Sequence, residues 1–316
     1  MRPASSSSRN PTAILGRRRL LGLVLPLILA ACGSEDTAPT LPAYSATPPK
    51  PLVPVLVLGV HPLHNPVKLL ETYGPIVDAL NKAIPEVEIR LEASRDYAEF
   101  ERKLEQRELE LALPNPYQTV IATQHGYRIF AKVKGDEDFH GLILVRRQKG
   151  SPEDVGDLRG KTLSCPSLTA LAGCMLPLAH LQQKGLDVKR DLKIVTVGSQ
   201  ESSILSVARG LVDAGATWPP PWRAFQKEHP ELARQLVVRW QTASLPNNGL
   251  VARDGLDPAL IERIRAQLIA LSDTEEGRRR LAKAEIQGFE FADDDSYAPV
   301  RDFLRRYREQ VGELAR

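Results

Sequence analysis

Two hydrophobic periods alternate along the chain. Val53 to Val60 is almost continuously apolar, the pattern of a strand buried on both faces. It stops at His61-Pro62-Leu63-His64-Asn65-Pro66, which predicts a turn. From Val67 to Ala83, Leu69, Leu70, Ile76, Val77 and Leu80 recur at helical spacing, with Gly74-Pro75 expected to kink or restart the helix. Glu86 to Ala93 alternates strictly and reads as a strand. An amphipathic helix is expected over 97–108 and a strand over 109–113, ended by Pro114-Asn115-Pro116-Tyr117. A helix over 118–125 and strands over 128–133 and 141–146 follow.

The second half repeats the alternation. A strand over 161–164 leads to a helix over 168–184, and a strand over 192–197 to a helix over 201–210. Val212 to Ala216 is a short strand, and Thr217-Trp218-Pro219-Pro220-Pro221-Trp222 reads as a rigid aromatic turn. Then come a helix over 223–228, strands over 235–240 and 250–252, and helices over 257–271, 274–285 and 295–313. Strands alternating with helices predict an α/β chain with mixed sheets in two lobes, its strand–helix turns facing one cleft.

The N-terminus sets the compartment. Five arginines and no acidic residue precede an apolar run from Leu20 to Ala31, too short to span a bilayer. This is the layout of a secretory signal. Leu29-Ala30-Ala31-Cys32 resembles a bacterial lipobox, so residues 1–31 are expected to be removed and Cys32 lipidated. Residues 32–52, rich in proline and small polar side chains, read as a tether holding a domain to a membrane surface. Loss of the five arginines takes the formal charge from +3 to −2, so the basicity of the full chain does not point to nucleic acid. The domain layout expected is 53–143 for the first part of lobe 1, 144–243 for lobe 2, and 244–316 for the return to lobe 1 with the C-terminal helices.

Candidate chemistry is sparse. Ser167 and Thr169 stand where the helix over 168–184 would begin, and two roles are open to them. A serine at a helix start commonly only caps it. The free N–H groups and positive dipole end there also attract anions. Cys165 and Cys174, nine positions apart, are either two free thiols or one bridge in an oxidising compartment. No cysteine–histidine set has zinc spacing, and neither a metal nor a cofactor is expected. No nucleophile–base pair or phosphate loop appears, which argues against an enzyme. His61 and His64 are expected mainly as loop residues, with the cleft as the alternative.

Two motifs then carry a resemblance. Residues 197–214 run Val-Gly-Ser-Gln-Glu-Ser-Ser-Ile-Leu-Ser-Val-Ala-Arg-Gly-Leu-Val-Asp-Ala, and 157–161 run Asp-Leu-Arg-Gly-Lys. Both are similar to segments of the periplasmic phosphonate/phosphite-binding proteins of ABC importers, and the likeness extends over roughly 53–305. The resemblance implies a type II periplasmic-binding fold, two lobes with mixed sheets and a ligand cleft between them. By position it implies Tyr97, Asn115, Tyr117, Phe139, Ser167, Thr169, Gln200, Thr217, Trp218 and Asn248 as cleft residues. Tyr97 is equally readable as packing at a helix start. Gln200 stands where the family has histidine, and Leu168 and Ala170 interrupt its hydroxyl run. Pro220 and Asn248 stand where relatives that bind aminoalkyl phosphonates place acidic residues. An unpaired buried ammonium is costly, so the expected ligand is phosphite, phosphate or a simple phosphonate. The resemblance further implies a monomeric lipoprotein of the cell envelope that delivers its ligand to an ABC permease. The alternatives are a ligand sensor of the same fold that signals to a partner, or a binder of a different small organic anion; the rigid, apolar wall of Pro219-Pro220-Pro221-Trp222 also leaves room for an organic ligand with an apolar tail.

Overall fold

The computed structural model describes residues 53–312, so the signal, Cys32 and tether expectations lie outside the described residues. The strands are β1 (Val55–Val60), β2 (Glu88–Ala93), β3 (Leu111–Leu113), β4 (Tyr127–Val133), β5 (Leu142–Arg146), β6 (Lys161–Cys165), β7 (Leu192–Thr196), β8 (Ala214–Thr217), β9 (Leu236–Gln241), β10 (Gly249–Arg253) and β11 (Phe289–Glu290). The α-helices are α1 (Pro66–Ala83), α2 (Tyr97–Glu105), α3 (Pro116–Gln124), α4 (Leu176–Gln183), α5 (Gln200–Ala208), α6 (Pro219–Glu228), α7 (Pro230–Ala233), α8 (Pro258–Ala270), α9 (Glu275–Lys283) and α10 (Ala298–Gln310).

The strands form two mixed sheets of one design. The first has the order β11-β4-β10-β3-β1-β2, the second β7-β6-β8-β5-β9. In each, three strands run parallel: β2-β1-β3 in the first and β7-β6-β8 in the second. One antiparallel strand, β10 or β5, then separates that trio from β4 or β9. Both inserted strands follow a crossover between lobes, so the chain enters each sheet at the corresponding place. The second sheet includes β5 from Leu142 onward.

Local differences from the sequence pattern have physical causes. α1 runs unbroken through Pro75, because Leu69, Tyr73, Ile76, Val77 and Leu80 make one buried stripe across it. Packing of that stripe outweighs the lost hydrogen bond at Pro75. The Arg280 guanidinium donates to the Pro75 carbonyl from α9. α6 starts at Pro219 rather than after Trp222. Prolines are tolerated in a first turn, where their missing N–H groups would have no helical acceptor. Two-residue β11 leaves no periodicity to read.

The lobes close on one another. Asn115 Nδ2 donates to the Thr169 carbonyl at 3.1 Å, and Gln200 Nε2 to Tyr97 Oη at 3.3 Å. On the rim, Lys68 pairs with Glu228 at 2.6 Å. Arg223 in α6 pairs with Asp138 at 3.2 Å and Glu285 at 3.4 Å.

Candidate ligand cleft

A small cavity lies where the carboxyl ends of the parallel strands of both lobes meet. From lobe 1 it is lined by His61 after β1, Tyr97 at the start of α2 and Asn115 at the cap of α3. From lobe 2 come Ala170 to Gly173 after β6, Gln200 at the start of α5 and Trp218 at the cap of α6. The two lobes thus contribute equivalent positions. Phe139, from the first crossover, completes the wall and meets the Trp218 ring with centroids 5.3 Å apart.

Helix starts are positive ends with unsatisfied N–H groups. Five of them, after β2, β3, β6, β7 and β8, bring a cap or first residue to the cavity wall, although α6 opens on Pro219-Pro220-Pro221 and so offers its dipole without free N–H groups in that turn. Among the described residues, no carboxyl, ammonium or guanidinium side chain lines it. His61 is 2% exposed, and burial lowers its pKa to about 4, only partly opposed by its hydrogen bond to the Leu113 carbonyl. The ring is therefore neutral near pH 7, and its Nδ1–H donates to that carbonyl at 3.1 Å. His64 is buried too; desolvation, and after it the nearby Lys68 ammonium, lower its pKa to about 3. Both histidines are interior groups, which corrects their reading as loop-surface residues.

Gln200 is the polar centre. Its side chain is buried, its Oε1 accepts from Thr217 Oγ1 at 3.0 Å, and its Nε2 donates to Tyr97 Oη. Burial raises the Tyr97 phenol pKa, so the group stays protonated. Gly198, at φ +82°, turns the chain from β7 into α5, and Ser199 Oγ caps the helix by accepting from Ser202 N at 3.1 Å. Gly173 has to be glycine for this side chain to lie where it does: a Cβ there would stand 2.7 Å from Gln200 Nε2. The cavity that remains measures about 10 Å³, roughly the room of one water.

The expected helix start beside Ser167 is corrected. The helix starts at Leu171, not at Ser167, and its first turn is a π-turn over Leu171–Met175. Ser167 Oγ accepts from Thr169 N at 3.3 Å within a tight turn that closes with Ala170 N donating to the Ser167 carbonyl. Cys165 and Cys174 form a disulfide across this loop, their Cα atoms 5.3 Å apart. That separation lies within the bridging range. Ser167 and Thr169 line a separate, larger groove of about 770 Å³, and Tyr97 belongs to the walls of both spaces.

Of the other expected residues, Tyr97, Asn115, Phe139, Gln200 and Trp218 converge on the cavity. Thr217 stands behind Gln200 and holds it. Tyr117 is partly buried at the first turn of α3, away from the cavity wall. Asn248 is buried at the crossover into β10, its Oδ1 without a hydrogen-bond partner, and is also off the wall. His61, for which the cleft was the alternative reading, lines the cavity, as do Ala170 to Gly173, which the sequence did not single out. The signal that would have found them is positional: each follows the end of a parallel strand.

Residues 58–297 match the periplasmic substrate-binding proteins of phosphonate ABC transporters. The chain belongs to that family. Its members are binding proteins rather than enzymes, they work in the periplasm, and they serve ABC transport systems. Solved structures show the same fold. The binding protein component of an ABC phosphonate transporter from Pseudomonas aeruginosa is similar at 18% identity and a TM-score of 0.75, over 82% of this chain and 88% of that one. PhnD1 from Prochlorococcus marinus, solved with methylphosphonate, is similar at 20% identity and a TM-score of 0.74, over 81% and 98%. A Xanthomonas citri protein bound to chloride is similar at 22% identity and a TM-score of 0.66, over 81% and 99%.

Proposed function

We propose that this protein is the substrate-binding lipoprotein of an ABC importer, taking a phosphonate-type oxyanion with no amino group into the cleft between its lobes. The observation that carries the reading is the ring of five helix starts around a cavity with no carboxyl side chain. Helix N-termini favour an anion by dipole, and those that do not open on prolines, as α6 does, also by free N–H donors. Tyr97 and Gln200 add neutral donors, while His61 stays uncharged. An ammonium group in this ring would meet dipoles of the wrong sign and no counter-charge. The PhnD1 relative was solved with methylphosphonate, a ligand of the class proposed. Cys32 is the proposed lipid attachment point, the anchored form working as a monomer beside its permease.

A thermal-shift screen of the purified protein against phosphite, phosphate, methylphosphonate, sulfonates and nitrate tests the ligand class. Phosphorus oxyanions are expected to raise the melting temperature in proportion to the logarithm of their concentration. A shift only with sugars or apolar amines would overturn the anion reading. The anchor has its own test: Cys32→Ala is expected to move the protein from the membrane fraction to the soluble periplasm.

A further inference from the structure

The cavity in the helix ring has a volume of about 10 Å³, while the neighbouring groove between the lobes has about 770 Å³. The second figure lies within the usual range for small-molecule sites. Tyr97 is common to both walls, and Thr169 of the groove is followed in the chain by Ala170 of the cavity. Leu168, Leu192 and Ile194 give the groove an apolar lobe-2 face.

Its lobe-1 face carries Asp96 and Glu101. Asp96 accepts from Glu99 N at 2.9 Å, which holds its carboxyl below the usual range and therefore charged. Gln118 donates to Glu101 at 3.1 Å. Lys189 stands at the exposed rim. A phosphonate head is repelled by the carboxyl side of the groove and attracted by the helix starts, whose cavity has to widen beyond its room for one water as the lobes part to admit it. Charge therefore orients a ligand, head inward and substituent outward.

We infer that the protein selects phosphonates bearing an extended, mainly apolar substituent, an alkyl or aryl group that occupies this groove. The inference rests on the anion reading above and specifies the ligand's other half. A methyl group would leave the groove to water, whereas a longer chain gains about fourfold in affinity for each methylene it buries completely.

The test is calorimetry of the purified protein with methyl-, butyl-, hexyl- and phenylphosphonate, and with 5-carboxypentylphosphonate. Hexylphosphonate is expected to bind at least tenfold more tightly than methylphosphonate, and the chain ending in a carboxylate more weakly than hexylphosphonate. Ala98→Trp and Thr196→Trp each place an indole in the groove from an exposed position. Each is expected to bring the hexyl-to-methyl ratio down toward one. Methylphosphonate binding as tightly as hexylphosphonate, or a ratio unmoved by both variants, overturns the inference and leaves the anion reading standing. If no phosphonate binds, both fall.

Discussion

The Cys165–Cys174 disulfide is expected to hold the cradle of the site as well as the fold. It spans nine positions and joins the end of β6 to the π-turn that lines the cavity. The loop between the cysteines contains Ala170 to Gly173, and both cysteines are fully buried. For a closed loop of this length the chain-entropy relation gives about 2.7 kcal/mol. In a domain of this size each kcal/mol moves the melting temperature by about 2–4 °C, so the double variant Cys165→Ala/Cys174→Ala should melt roughly 5–10 °C lower. The other side of the loop stays tied, since Val197 N donates to the Cys165 carbonyl and Gly198 N to the Pro166 carbonyl, both at 2.9 Å. The variant should therefore fold and bind phosphonate more weakly, because its backbone donors are no longer held in place. Scanning calorimetry, with and without reductant, and titration calorimetry measure the two effects. Unchanged melting temperature and affinity in the double variant would refute the argument that this bridge fixes the cradle.

Gln200→Ala removes the donor to Tyr97 and strands the fully buried Thr217 hydroxyl. A stability loss of about 1–3 kcal/mol and an affinity loss of roughly tenfold or more are expected, and unaltered anion affinity would take Gln200 out of the site. His61 has a folded pKa lowered to about 4, so the unfolded chain takes up its proton first as pH falls. Stability is thus full above about pH 6.5 and lost between there and about pH 4, by roughly 2 kcal/mol at pH 5. His64 acts with the same sign. Denaturant melts across this range should flatten in His61→Asn, and a wild-type profile already flat from pH 7 to 4.5 would contradict the burial argument. Arg223→Ala cuts the rim ties to Asp138 and Glu285. Such half-exposed pairs are worth about 1 kcal/mol or less, so only a few-fold loss of affinity and a larger radius of gyration without ligand are expected. X-ray scattering that shows the variant as compact as wild type would remove these pairs as a latch.

Most of the architecture was legible because burial writes a period into the chain. Residues 53–60 announced a strand, which runs over Val55–Val60 with its later residues buried and Val55 exposed, and strand–helix alternation announced the two sheets. Tyr97, Asn115 and Gln200 were named through the resemblance, and all three line the cavity just after strand ends. Features that depend on packing were hidden. Ser167 has the composition of a cap, yet the helix starts four residues later, and nothing in the spacing of Leu171 to Met175 announces a π-turn. Pro75 looks like a break, but the buried stripe of α1 continues through it. His61 follows a strand like any loop histidine; only assembly of the second lobe around it shows that it is interior.

The central claim is that a ring of helix starts without a carboxyl group selects an oxyanion lacking an amine. Titration calorimetry of methylphosphonate against 2-aminoethylphosphonate, at pH 7.5 and matched ionic strength, tests it most directly. Methylphosphonate is expected to bind at least tenfold more tightly, since the ammonium would be desolvated without a partner. Tighter binding of 2-aminoethylphosphonate would contradict it.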